Sequence, residues 1–326
     1  MSNLGITSIA SAPAKIILFG EHFVVYNNPA ILMAIDKRIQ VNVQRIPECG
    51  IHIHSDLQEP FHDRSIQGKS NRLEEIKNGP LYLIYDAILR SIPDPFETGI
   101  DIRIKSEIPV GIGLGSSGAS CVATIAAVEN LYKVPERHKV CLKAMASETI
   151  VHKGSSGADC FASTYGGIIH YIRNQGFSRI NVHNIPHLVL LNSGLKHSTR
   201  SMVSRVEDFK MNNESKFRDL CIRASLICQK GMSAIQSGNI EEVGRLMTEN
   251  HTLLQTLGAS HEKVDELVQL CNKYGALGCK LTGAGGGGSV VALMTEKNLS
   301  RLESQTVKLQ YEVLPVTIDN RGLEIH

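Results

Sequence analysis

The segment 109–118 reads PVGIGLGSSG and runs directly into 116–132, where residues are small or apolar on most sides, as in a buried helix. Glycine lets the backbone take positive φ and lets the oxygens of an anion approach closely. A helix starting at the same place turns its free N–H groups and the positive end of its dipole toward that anion. The chemistry indicated is therefore phosphate-type anion binding. Ser116 and Ser117 also suit a helix start as plain caps, but capping alone does not call for glycine at 111, 113 and 115.

Three further segments carry groups that chemistry needs. Residues 280–289 (KLTGAGGGGS) hold four consecutive glycines between apolar, strand-like stretches. A tight hairpin needs only two special residues, so close packing against a ligand or another backbone explains the excess better. Residues 148–159 (ETIVHKGSSGAD) place Glu148 near a helix end and Asp159 after a loop of small residues. Taken singly, Asp159 fits a cap or turn, and Glu148 fits a solvated helix position. Residues 12–22 (APAKIILFGEH) open an apolar strand with Lys15 and close it with Glu21 and His22.

Several classes are excluded. Gly113, Gly115 and Gly118 spell G-x-G-x-x-G, but Pro109 and Gly111 interrupt the strand that a dinucleotide fingerprint must follow. The pattern G-x-x-x-x-G-K-[ST] is absent. A formal net charge of +2, 5% aromatic residues and no Trp offer neither a basic field nor a stacking platform for nucleic acid. The eight cysteines (49, 121, 141, 160, 221, 228, 271 and 279) contain no C-x-x-C pair and lie in apolar surroundings, which suits buried free thiols in a reducing cytoplasm. The first residues show no secretory leader. No apolar run approaches the ~18 residues of a membrane span, so no membrane partner is expected. His52 and His54 share a strand face but lack evident further metal ligands.

The elements that must position these residues follow from periodicity. Strands are expected over 7–19, 38–45, 50–54, 98–106, within 160–173, over 187–193, in the stretch SVVALM (289–294) and over 311–318. Helices are expected over 79–92, 116–132, 137–152, 201–211, 215–236, 240–256, 261–274 and 296–308. Strands and helices mix without regular βαβ alternation, which predicts an α+β fold. With 326 residues, 42% of them hydrophobic, two domains are expected, 1–180 and 181–326.

The four segments in this order, from about residue 11 to residue 293, resemble the GHMP kinases, the family of galactokinase, homoserine kinase and the kinases of mevalonate and phosphomevalonate. The resemblance implies an N-terminal domain like ribosomal protein S5 domain 2 and a C-terminal ferredoxin-like domain, with the active site between them. It implies ATP as phosphate donor, with Pro109, Gly111, Gly113, Leu114, Gly115, Ser116, Ser117 and Gly118 as the phosphate-binding loop and 280–289 as the third family motif. It implies Asp159 as catalytic base with Lys15 beside it, and Mg2+ held by Ser117 and Glu148. The physical logic agrees: a carboxylate within hydrogen-bond reach can take the proton of an alcohol as the O–P bond forms, and a neighbouring lysine favours its ionised form.

Within the family, KIILFGEHFVVY (15–26), the stretch 151–159 and LGASH (257–261) resemble the members that act on mevalonate. The implied substrate contacts are Glu21, His22, Thr199, Arg200, Gly285 and Gly286, with Arg200 suited to a carboxylate. Homodimers are common among such relatives. Ala14 and Gly118 depart from the family's usual glycine and alanine. Ser155 stands where proline is frequent, which puts in doubt the firmness of the loop carrying Asp159. A GHMP kinase for another alcohol (phosphomevalonate or a sugar) and a catalytically silent metabolite sensor are the competing readings. Retention of Lys15, Ser117, Glu148 and Asp159 together speaks against the sensor.

Overall fold

In the computed structural model, residues 6–56, 62–66, 81–92, 99–109, 111–151, 155–182, 187–195, 199–309 and 311–326 are described. Two sheets organise them. The first contains β1 (Thr7–Phe19), β2 (Ala30–Ile46), β3 (Ile51–Ser55), β4 (His62–Ile66), β5 (Gly99–Ser106), β6 (Ile168–Ile172) and β7 (Gly176–Ile180). Its order is β1-β2-β5-β3-β4, with only β3 and β5 parallel. β2 is long enough to fork: its residues 39–46 pair with β5, while 30–33 pair with β6. Beyond β1 at the edge lies β12 (Glu324–Ile325), so the last strand in sequence joins the first. The second sheet is antiparallel and comprises β8 (Leu188–Asn192), β9 (Gly278–Leu281), β10 (Ser289–Leu293) and β11 (Val313–Val316), in the order β11-β8-β10-β9.

The helices of the first unit are α1 (Tyr82–Ser91), α2 (Ser116–Asn130), α3 (Arg137–Val151) and α4 (Ala158–Tyr165). α2 is buried continuously from Gly118 to Glu129 and packs against both β1 and β2. Ala119, Ala123, Ala126 and Ala127 let its neighbours come close on several sides, which explains why no polar stripe is visible in the sequence. The second unit contains α5 (Thr199–Asn212), α6 (Glu214–Ser237), α7 (Ile240–Thr256), α8 (Glu262–Lys273) and α9 (Glu296–Leu309). α7 starts at Asn239, whose side chain accepts from the Glu242 N–H at 3.1 Å, and α6 stops at Gly238 with φ 70°. Buried apolar residues from both units form one continuous core.

The architecture is the mixed α+β arrangement expected. Differences lie in individual elements. The stretch 160–173 holds more than a strand: α4 fills Ala158–Tyr165 before β6 begins at Ile168. Gly157 (φ 77°) and Gly166 (φ 68°) bracket that helix, and its eight residues are too few to show a helical period. β2 begins at Ala30, well before the alternating stretch, because its first half is buried throughout and does not alternate. Residues 79 and 80 of the expected first helix lie outside the described residues. No helix among the described residues is long and apolar enough to cross a membrane.

Candidate active site

A cavity of about 290 Å³ opens between the two units. Its walls include Lys15, His22, Gly111, Gly113, Leu114, Gly115, Ser116, Ser117, Glu148 and Asp159 from the first unit, and Thr199, Arg200, Gly283 and Ala284 from the second. Residues separated by more than 250 positions in sequence thus face one space.

The glycine turn before α2 is tied to β1 by a hydrogen bond from the Lys15 N–H to the Leu114 carbonyl, 2.9 Å. Gly111, Gly113 and Gly115 all have positive φ (76°, 82° and 72°). Gly115 is the N-cap of α2 and supplies no side-chain cap, so the first N–H groups of α2 lie uncapped beside the cavity. A Cβ at Gly115 would sit 2.7 Å from Lys15 Cε and 3.1 Å from Asp159 Oδ2. Glycine here is what allows the turn, the lysine and the aspartate to meet. At Gly111 an added Cβ meets nothing within 4 Å, so that position borders open space.

Lys15 is 3% exposed and its Nζ lies 3.2 Å from Asp159 Oδ1. Asp159 is the second residue of α4, not a loop residue, and is 27% exposed toward the cavity. Gly118 brings α2 against it: a Cβ there would stand 3.0 Å from Asp159 Cβ. This places Gly118 as a packing residue outside the cavity lining. Pro109 precedes the turn and is likewise not part of the lining.

Glu148 sits in the last turn of α3, buried rather than solvated. Three donors hold it: the Ser117 hydroxyl to Oε1 at 2.7 Å, and the Ser155 hydroxyl (3.3 Å) and Cys160 thiol (3.4 Å) to Oε2. Burial, then the nearby Asp159 charge, push its carboxyl up to about 7, against the Ser117 and Cys160 hydrogen bonds and the Lys15 charge. Ser155, whose place in the family is often taken by proline, also accepts from the Gly157 N–H at 3.3 Å. Its hydroxyl therefore braces the approach to α4. The contribution of Cys160 is not legible in sequence, where it forms no motif, and Ser155 is marked there only as a departure from the family's proline.

His22 has φ 59°, an unusual value for a residue with a Cβ. Its Nε2 lies 2.8 Å from the Ala284 carbonyl. A carbonyl only accepts, so Nε2 carries the proton and Nδ1 is left as an acceptor. Burial lowers the pKa of this imidazole and keeps it neutral.

Glu21 is not in the lining. It is fully buried and forms an ion pair with Lys280, also fully buried. Asn250 of α7 donates to Glu21 Oε2 at 3.1 Å. Lys280 gives its remaining hydrogen bonds to the carbonyls of Ile17 (3.1 Å) and Leu281 (2.7 Å). The Ile17 N–H in turn donates to the Thr282 hydroxyl at 3.0 Å. Glu21 thus joins the two units rather than facing the cavity. Gly285 and Gly286 are also absent from the lining. A Cβ at Gly285 would lie 2.0 Å from the Ala259 carbonyl, and one at Gly286 would lie 2.4 Å from Met202 Sδ. Of that turn, Gly283 and Ala284 reach the cavity, and a Cβ on Gly283 would meet the Gly113 carbonyl at 2.8 Å. Thr199 and Arg200 begin α5 at the mouth of the cavity, both exposed.

Known proteins resemble this chain along most of its length. The family model for the GHMP kinases N terminal domain matches residues 81–167, and that for the GHMP kinases C terminal matches 232–309. The chain is 36% identical to the mevalonate kinase of Pyrococcus horikoshii over 97% of each chain. It is 35% identical to that of Thermococcus onnurineus over 89% of this chain and 90% of the relative. The crystal structure of Methanococcus jannaschii mevalonate kinase superposes with a TM-score of 0.81 at 28% identity, covering 98% of this chain and all of the other. That of L. major mevalonate kinase in complex with R-mevalonate gives 0.79 at 26% identity, covering 98% and 99%.

Proposed function

The chain belongs to the GHMP kinase family, and from that premise we propose that it transfers the γ-phosphoryl group of ATP to the primary hydroxyl of mevalonate, giving 5-phosphomevalonate. The observation that carries the reading is the contact of Lys15 with Asp159 at the wall of a cavity that also receives the start of α2. Mevalonate kinases covering nearly all of the chain supply the substrate.

Asp159 accepts the proton of the attacking hydroxyl as the O–P bond forms. Lys15 Nζ, 3.2 Å from Asp159 Oδ1, pairs with that carboxylate and offers its positive charge to the oxygens that gain negative charge. The N–H groups at the start of α2 receive the phosphate oxygens, helped by the helix dipole. The neutral His22 offers Nδ1 to a substrate hydroxyl, its other nitrogen being fixed on Ala284. Arg200 and Thr199 at the cavity mouth suit the substrate carboxylate.

The residues present also fit Mg2+. Ser117 Oγ and Glu148 Oε1 are hard oxygen donors 2.7 Å apart beside the cavity, and Asp159 crowds Glu148 with a second acidic charge. A divalent cation there would relieve that crowding and neutralise charge on the bound triphosphate. A coupled ATPase assay over a panel of alcohols tests the reading. Mevalonate is expected to be turned over with a phosphate on its primary hydroxyl, whereas activity confined to phosphomevalonate or a sugar would overturn it.

A further inference from the structure

Residues 317–326 leave β11 of the second sheet and return across the first unit. We propose that this return segment, with Arg137, is a positioning element that sets where Asp159 stands; the proposal rests on Asp159 being the base. Its contacts concentrate on the far end of the helix that carries Asp159. The Leu323 N–H donates to the Thr164 carbonyl at 3.0 Å, and the Gly167 N–H donates to the Asp319 carbonyl at 2.7 Å. The first bond occupies a carbonyl that α4 leaves unpaired at its C-terminal end, and the second holds the chain just beyond that end. Backbone meets backbone here: a Cβ on Gly322 would stand 2.5 Å from the Thr164 carbonyl, and one on Gly166 would stand 2.5 Å from the Gly322 nitrogen. Arg137, the first residue of α3, locks the junction by donating to the carbonyls of Thr164 (3.4 Å), Arg321 (3.2 Å) and Leu323 (2.8 Å).

The segment is itself held rigidly. The buried Asp319 carboxylate pairs with Arg38 and accepts from the N–H groups of Arg321 (2.9 Å) and Gly322 (3.0 Å). Arg38 also donates to the Gly322 carbonyl at 2.7 Å. The Asp319 N–H donates to the Ala34 carbonyl, and the Ala34 N–H donates to the Gly167 carbonyl, each at 2.9 Å. Ala34 is the β2 residue in register with Lys15. Both partners of the Lys15–Asp159 contact are therefore referenced to one residue of the sheet, the aspartate by way of the return segment.

α4 needs such a grip because glycines with positive φ bound it at both ends. Asp159 lies about 7.5 Å along the helix from Thr164, so a tilt of about 8° at the gripped end moves the carboxylate about 1 Å. A misplacement of that size is enough to slow a reaction by about a hundredfold.

The test is a cycle of Arg137→Ala and Asp159→Asn in the full chain. Arg137→Ala is expected to lower kcat about tenfold and to leave the KM for ATP within twofold. In the Asp159→Asn background it is expected to lower the residual rate no further, because the group it positions is gone. Arg137→Lys should fall between wild type and Arg137→Ala. Hydrogen exchange should quicken at the amides of 161–167 in Arg137→Ala and stay unchanged in β1 and β2. An unchanged kcat, or the same fall in both backgrounds, overturns the proposal. If Arg137→Ala does not fold, Arg137→Lys run through the same cycle decides it, with a fall of about threefold expected. Near-wild-type turnover by Asp159→Asn alone would instead remove the base assignment, while the exchange at 161–167 still reads the grip.

Discussion

Two lysine–acid pairs, each near a glycine turn, stand where the two units meet, one at the cavity and one sealed beside it, and the two do opposite things. On the open side Lys15 meets a part-exposed Asp159, and Gly111 borders empty space. On the sealed side Lys280 meets Glu21 with both side chains fully buried, and Gly285 is pressed onto the Ala259 backbone. Residue types do not distinguish the sides; solvent access does. A charged pair at a cavity wall can exchange a proton or bind an anion. A sealed pair is surrounded by its own hydrogen bonds and fixes the register of the chains that carry it.

The largest expected effect breaks the open side. Asp159→Asn should lower kcat about a hundred- to ten-thousandfold while ATP binding, measured by calorimetry, stays near wild type. Near-normal phosphorylation by that variant would make Asp159 as structural as Glu21. On the sealed side, Lys280→Met strands the Glu21 carboxylate and should lower unfolding free energy in denaturant titration by about 3–5 kcal/mol. Adding Glu21→Leu should cost less than the sum of the single changes, and strict additivity would mean the pair is not coupled. The glycine turns sharpen the contrast. Gly285→Ala, with its Cβ on a carbonyl oxygen, should destabilise by about 2–4 kcal/mol. Gly111→Ala should cost about 1–2 kcal/mol of backbone strain alone.

Smaller effects concern the boundary between the sides. Ser117→Ala should raise the Mg2+ concentration for half-maximal activity about tenfold, and an unchanged titration would remove Ser117 from the metal's surroundings. The buried Glu148 carboxyl, raised from its ordinary 4.5 to about 7, binds a proton in the fold that the unfolded chain releases. Its contribution to stability is full below about pH 4.5, declines as pH rises, and is gone above about 7. The difference in stability between wild type and Glu148→Gln should therefore change across that window, by about 3 kcal/mol, and a flat difference would show no coupling.

Much of the open side was legible in the sequence, because its signals are local. Three glycines before an all-round apolar helix indicate an anion site without reference to anything distant, and the structure brings Lys15, Ser117, Glu148 and Asp159 to that site's cavity. The sealed side is not legible in sequence for the complementary reason. Glu21 lies beside His22 in sequence and groups with it there as a substrate contact, but its partner Lys280 is 259 residues away. Nothing local marks such a pair as buried. Gly285 and Gly286 are too many for a hairpin and imply close packing against a ligand or another backbone; their close neighbours are the Ala259 carbonyl and the Met202 side chain. α4 went unseen because eight residues between glycines carry no period. The strands Gly176–Ile180, Gly278–Leu281 and Glu324–Ile325 are short and owe their pairing to partners, not to pattern.

The pairing of Ser11 with Glu324 has a consequence for how the molecule is made. At about 5–20 residues per second, a ribosome that has released Ser11 needs roughly 15–60 s more to deliver its partner. Throughout that interval the outer edge of β1 at Ala10 and Ser11 lacks its partner on the nascent chain and is open to pairing with a wrong strand. Chaperone demand during synthesis should therefore centre on the first strand, long after its own residues have left the exit tunnel.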